Sequence, residues 1–176
     1  MIIEEDILKE IFEQLPKVKD SNNVLYDVNF GWGTEDVLNL WLSQKKQSTK
    51  YPLIWLIESE SKIENLAANK AERDITLIIA KESSHKTNTN PVIWETEFKN
   101  ILNPLAKNIL TALQKSGVTT ITDGYSIFRK ANYYESSRQK EEKNETKNFT
   151  IDCWNIILLK AKIVFDGSRC INEIKF

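Results

Sequence analysis

Apolar positions along this chain follow two different periods, and the switches between them mark its elements. Between residues 3 and 15, Leu8, Ile11, Phe12 and Leu15 recur at helical spacing behind an acidic first turn, and Pro16 ends the helix. In VLYDVNF, Tyr26, Val28 and Phe30 alternate with Asp27 and Asn29, the period of a half-buried strand. Gly31-Trp32-Gly33 predicts a tight turn that breaks this strand. Thr34 is then placed to cap a second helix over EDVLNLWLSQKK.

The next segment, KYPLIWLIES, is apolar without interruption from Tyr51 to Ile57. Such a run predicts a strand covered on both faces, with Pro52 confined to its first residues and Glu58 marking its end. DITLIIAKES repeats the theme, with Ile75, Leu77 and Ile79 on one side, and the two runs predict neighbouring antiparallel strands. The polar stretch SESKIENLAANKAER between them reads as a loop or short helix.

A polar loop, SHKTNTN, leads to Asn90-Pro91, an N-cap followed by proline at the first helical position. The helix beginning there places Trp94, Phe98, Ile101, Leu102, Leu105, Ile109 and Leu113 on one stripe. Pro104 must kink or restart it, with Asn103 as a second cap, and Gly117 closes it. Strands follow in YSIFRKANYY and in NFTIDCWNIILLKAKIVF, where Phe149, Ile151, Cys153, Ile157, Leu159, Ile163 and Phe165 share one parity. Unbroken, the second would span roughly 55–60 Å, longer than a compact domain needs. Asp166-Gly167 signals a hairpin turn, after which SRCINEIKF can return as a strand. The predicted architecture is α+β: one mainly antiparallel sheet with helices packed on one face, in a single domain over residues 1–176.

Residues 135–148 stand apart. ESSRQKEEKNETKN has no apolar residue, so it cannot join a core and reads as a charged mobile arm or hairpin tip. Its acids Glu135, Glu141, Glu142 and Glu145 balance its bases Arg138, Lys140, Lys143 and Lys147.

Composition narrows the function classes. The 176 residues are 41% hydrophobic, enough for one substantial core. Twenty-four basic against 25 acidic side chains leave a formal charge of −1, which argues against nucleic acid as the principal ligand. Mean hydropathy is −0.41, and no window approaches the roughly 18 apolar residues of a spanning helix. The acidic start, MIIEEDILKE, argues against an export leader. Cys153 and Cys170 are too few and too separated for a disulfide framework or a zinc site, and read as reduced thiols.

Candidate chemistry is sparse. The one histidine, His85, lies in a polar loop, where a solvated side chain is the plain reading against a triad base. No phosphate-binding loop is present, and Gly31-Trp32-Gly33 lacks the third glycine of a dinucleotide fingerprint. Glu58, Glu60 and Lys62 follow a hydrophobic strand in an acid-and-lysine pattern used by metal-dependent nucleases, and Asp27 could formally supply the upstream carboxylate. Such triples arise readily in a chain that is 28% charged, and a solvated strand end accounts for them more simply. Trp32, Trp41, Trp55, Trp94 and Trp154 have few basic neighbours, which favours packing over base stacking.

The order and spacing of four segments resemble a family of tailed-bacteriophage virion proteins, found especially in phages of Bacteroidetes hosts including crAss-like gut phages. These are Asp36 to Asn39 after a glycine turn, Lys50 to Leu56, Ile75 to Ala80, and Phe98 to Leu105. The resemblance covers roughly residues 24–117 and departs at SSHKTNTNPVIW, where the family carries a different loop. It implies a tail terminator or neck ring protein: small α+β subunits closing into six- or twelvefold rings at the head–tail junction. The implied partners are identical subunits, the portal or connector, and tail proteins, around a channel that genomic DNA traverses unread. It implies a virion location after synthesis in the host cytoplasm, with no catalytic residue, cofactor, metal or membrane. A ring subunit presents two different surfaces to identical neighbours. Glu135, Arg138, Lys140, Glu141, Glu142 and Lys143 are the candidate inter-subunit residues, with a solvated loop as the alternative.

Overall fold

A computed structural model describes residues 3–44, 50–58, 62–83, 90–133 and 154–176. Helix α1 (Glu4–Phe12) is followed by two short strands, β1 (Val18–Lys19) and β2 (Leu25–Tyr26), which pair antiparallel. Then come β3 (Asn29–Gly33), α2 (Glu35–Gln44), β4 (Leu53–Ile57), β5 (Lys62–Asn65) and β6 (Lys70–Glu82). A continuous helical segment follows: α3 (Asn90–Ile93), a π-helical stretch (Trp94–Leu102) and α4 (Asn103–Lys115). Strands β7 (Thr119–Tyr133) and β8 (Trp154–Asp166) complete the order.

The main sheet runs β3-β4-β6-β8-β7, with β5 pairing the first half of β6 beside β4. All its pairings are antiparallel except β3 with β4, which lie parallel and are joined by α2 as the crossover. The mainly antiparallel α+β layout is therefore as the pattern predicts.

Side-chain alternation sorts the sheet into two faces. On one, Ile54, Leu56, Ile75, Leu77, Ile79, Ile157, Leu159, Ile163 and Phe165 form a core with α1, the π-helical stretch and α4. On the other, Leu53, Trp55, Ala80, Trp154 and Ile156 pack with Leu38 and Leu42 of α2. Helices are thus not confined to one face: α2 carries its own apolar stripe and covers half of the second. Both runs singled out for apolarity, β4 and the adjoining half of β6, lie between these two clusters, and the one polar side chain there, Thr76 opposite Ile57, faces the reverse side beyond the cover of α2.

Gly31-Trp32-Gly33 is not a turn. It forms the second half of β3, in register with Trp55, Leu56 and Ile57. A Cβ at Gly31 would sit 2.5 Å from the Trp55 ring, so glycine here admits a neighbouring indole rather than bending the chain. Gly33, at φ +131°, ends the strand and accepts the Trp55 Nε1–H bond at 3.2 Å. Thr34 caps α2 as expected, its Oγ1 accepting from the Val37 amide at 3.4 Å.

Three further expectations change. SESKIENLAANKAER contributes β5 and the start of β6, joined by a turn in which Asn69 takes φ +48°. Ile63 and Leu66 remain exposed, so the pattern gave no sign of a buried face. The backbone stays helical throughout the next segment and restarts as expected around Pro104: the π-helical stretch ends at Leu102, and α4 begins at Asn103 with Pro104 in its first turn. The turns before it widen, and the Asn103 amide donates to the Phe98 carbonyl five residues back. Widening relieves the clash a proline ring makes with the carbonyl four residues earlier. Asn103 is helical and caps nothing; its Oδ1 accepts from Arg129 Nε at 2.8 Å. The Asp166 turn forms, but residues 170–176 do not return as a strand. They cross the helix ends instead: the Asn172 amide donates to Ser116 O and the Ile174 amide to Gln14 Oε1. Residues 149, 151 and 153 of the predicted long strand lie outside the described residues.

Candidate functional site

Strand β4 ends at Ile57 and β3, parallel to it, ends beside it at Gly33. Side chains that follow or flank these two ends open a cleft of about 360 Å³ under the start of α1. It is lined by Glu5, Trp32, Gly33, Val37, Leu56, Glu58 and Arg73. Trp32 and Val37 are apolar yet half-exposed, whereas Leu56 is fully buried and belongs to the core below.

Arg73 is the unusual member. It shares the parity of Ile75, Leu77 and Ile79 and is therefore driven beneath α1, where it is only 5% exposed. A charge buried this deeply needs a partner. Arg73 Nη1 donates to Glu5 Oε1 at 2.5 Å, from the first turn of α1. Its Nε–H has no acceptor among the described residues. Glu58, on the rim, is exposed. The cleft thus holds two carboxylates and one guanidinium beside an open indole.

A second polar group gathers at the opposite end of the sheet, where β7 and β8 meet at Tyr133 and Trp154. Trp154 Nε1–H donates to Tyr51 Oη at 2.5 Å on the α2 face. Asn155, buried on the other face, donates through Nδ2 to Glu97 of the π-helical stretch, also at 2.5 Å. Burial pushes the Glu97 carboxyl above the ordinary carboxylate range, against the lowering effects of the Asn155 hydrogen bond and of Lys81. Nearby, Tyr26 donates to Asp20, whose carboxyl is held low chiefly by the Val24 amide, and Lys81 lies 5.2 Å from the Tyr26 ring centre. Consecutive residues of β8 are thereby tied on both faces of the sheet.

The sequence candidates fall as follows. Asp27 is exposed and pairs with Lys17 at 2.9 Å. It precedes β3, and Glu58 follows β4; because these strands are parallel, the two carboxylates lie at opposite ends of the pair, about 20 Å apart by strand rise. Glu60 lies outside the described residues, and Lys62 opens β5 opposite Arg73. Among the described residues no three His, Cys, Asp or Glu side chains converge as a metal-ligand set. His85, Cys153 and the arm candidates Glu135, Arg138, Lys140, Glu141, Glu142 and Lys143 lie outside the described residues. Cys170 is an exposed free thiol.

Trp55 and Trp154 are core residues, while Trp94 leaves the predicted stripe, half-exposed and stacked on Phe98 at 5.0 Å. The cleft and the Glu97–Asn155 contact were not singled out from the sequence. Each nevertheless leaves a signal: Arg73 and Asn155 are polar residues in phase with the core positions of their strands. The chain matches no protein-family model and no curated protein sequence.

Proposed function

We infer that this chain is a structural subunit that works by joining copies of itself, and that its assembly is the neck or tail ring of a tailed phage to which the sequence is similar. The observation carrying the self-assembly reading is the outer strand β7. It has 15 residues, its far edge is unpaired among the described residues, and it holds Tyr125 and Phe128 half-exposed. A long open edge is a ready template for another chain, and proteins that keep one uncovered commonly use it. The other end of the sheet order is the five-residue β3, a different edge, as head-to-tail closure requires.

In this role the ionisable side chains hold shape: Lys162 pairs with Glu72 and Asp123, and Lys70 with Asp166. A near-neutral subunit also suits a DNA conduit, since a strongly basic lumen would grip the phosphate backbone and hinder sliding.

Sedimentation velocity and native mass measurement of the purified full chain test the reading, followed by electron microscopy of the oligomer. A closed oligomer with a central opening is expected, and the same polypeptide in purified phage particles. A chain that stays monomeric at high concentration and is absent from particles overturns it.

A further inference from the structure

The two outer strands of the main sheet, β3 and β7, are matched to each other in direction, face and length. We propose that β3 of one copy extends the sheet of the next by pairing antiparallel with the Tyr125–Lys130 run of its β7. Phe30 then lies opposite Arg129, and Trp32 opposite Ile127. This deepens the self-assembly reading and rests on it.

Backbone hydrogen bonds show which groups each edge offers. The Asn29 amide donates to Pro52 O and Gly33 O accepts from the Glu58 amide, so the odd-numbered residues of β3 turn toward β4. Phe30 and Trp32 therefore direct their N–H and C=O groups away from the sheet. At the other side, the Asp166 amide donates to Val118 O and the Gly167 amide to Asn69 O. Even-numbered residues of β8 thus bond to β7 and odd-numbered ones to β6. Ser126, Phe128 and Lys130, opposite even residues of β8, are the inward positions of β7, which leaves Tyr125, Ile127 and Arg129 directed outward. Neither outward set has a backbone partner among the described residues.

Direction, face and length then agree. Following the pairings across the sheet, β3 runs opposite to β7, so a copy moved sideways without being turned over lays its β3 antiparallel to that edge. Antiparallel bonding joins outward residues that share a face. Phe30 and Ile127 both pack on the α1 side, and Trp32 and Arg129 share their parities, so that side continues unbroken into the next copy. Irregularities in the β7–β8 ladder bracket Tyr125 and Lys130, leaving a regular run that matches the five residues of β3. Register follows from the rows of the sheet. One row runs from Phe30 through Ile54, Ile79 and Ile157 to Arg129, and the next from Trp32 to Ile127. Joining equal rows adds no rise from copy to copy, whereas a two-residue slip adds about 7 Å each time and winds an open filament. In the level register Phe128, 58% exposed, comes opposite Gly31, which brings no side chain of its own.

Removing one outward N–H in the full-length chain tests the pairing. Arg129→Pro deletes a donor that bonds nothing within the described subunit, at an edge position where proline is tolerated. It is expected to raise the concentration needed for assembly at least tenfold, read by sedimentation velocity, with little change in thermal midpoint. Arg129→Ala keeps the N–H, loses the same side chain, and is expected to assemble within threefold of the wild type.

Register is read independently in a Cys153→Ser, Cys170→Ser background. Asn29 and Lys130 face each other as a non-hydrogen-bonded pair, with Cα atoms about 4.5 Å apart and within disulfide range. Chains carrying only Asn29→Cys, mixed with chains carrying only Lys130→Cys, are expected to form an inter-chain disulfide on mild oxidation. The same mixture made with Phe128→Cys, the partner in a two-residue slip, is expected to form far less, and a preference for it overturns the level register. An oligomer that forms equally well with Arg129→Pro, or that yields neither disulfide, overturns the edge pairing while leaving self-assembly standing. A wild-type chain that is monomeric throughout overturns both.

Discussion

On the face under α1 and α4, strands β6 and β8 present Ile75, Leu77, Ile79, Ile157, Leu159 and Ile163, every one nearly or fully buried. On the reverse face the same two strands divide. Near the Tyr133–Trp154 pair, Ala80, Trp154 and Ile156 are covered by α2, whereas further along Asp74, Thr76, Lys160 and Lys162 line an open, shallow depression. Neighbouring positions on a strand therefore serve different ends. The first face supplies most of the apolar burial, at about 1.5–3 kcal/mol per fully buried aliphatic side chain. The second holds a smaller aromatic cluster fastened by hydrogen bonds, and a polar half whose charges compensate one another across the ladder. Asp74 lies opposite Lys162 in the β6–β8 register. The lesson is that stability and surface chemistry are separated by parity, so each can be perturbed alone.

The largest break is expected in the main core. Leu77→Ala, at a fully buried central position, should cost about 2–5 kcal/mol in urea unfolding. A loss below 1 kcal/mol would show that this face is less tightly packed than described. On the α2 face, Gly31→Ala forces a methyl group against the Trp55 ring and is expected to cost about 1–3 kcal/mol. Combining it with Trp55→Leu should be clearly non-additive, since removing the indole removes the clash. Strict additivity would separate the two residues.

Smaller again is Trp154→Phe, which keeps an aromatic ring but deletes the donor to Tyr51 Oη; about 1 kcal/mol is expected. Hydrogen exchange at the first amides of β8 should rise with it. Glu97 sharpens the comparison through pH. Its folded pKa is raised by burial, so folding favours the protonated form. The stability this contributes is fully present below the unfolded pKa and is lost as pH rises through the folded one. Glu97→Gln should therefore flatten the change in the urea midpoint between acidic and neutral pH. An unchanged pH profile would remove Glu97 as its source. Least of all, Lys162→Ala on the exposed ladder should leave the unfolding midpoint within experimental scatter, because its pairs with Glu72 and Asp123 are solvent-screened.

Much of this was legible along the chain. The 3.6-residue stripe from Phe98 to Leu113 and the two-residue alternation in β6 and β8 identify core positions without reference to a partner. What the same reading missed shares one cause. Trp32 and Gly31 looked like turn residues because glycine serves both turns and close packing, and the Trp55 ring that distinguishes them lies 24 residues away. The widened helix before Pro104 likewise follows from a local clash, but how it is relieved depends on the sheet beneath.

The sequence by itself determined which residues avoid water, which elements they form, and where a polar residue such as Arg73 or Asn155 interrupts the core rhythm. Those properties are local, set by side-chain period and turn chemistry. Only the tertiary structure decided that β3 and β4 run parallel, separating Asp27 from Glu58, and that Trp32, Glu58, Glu5 and Arg73 share one cleft. Backbone hydrogen bonds are the same for every residue, so strand direction and partner are chosen by the packing of distant segments, and no short window of sequence contains that information.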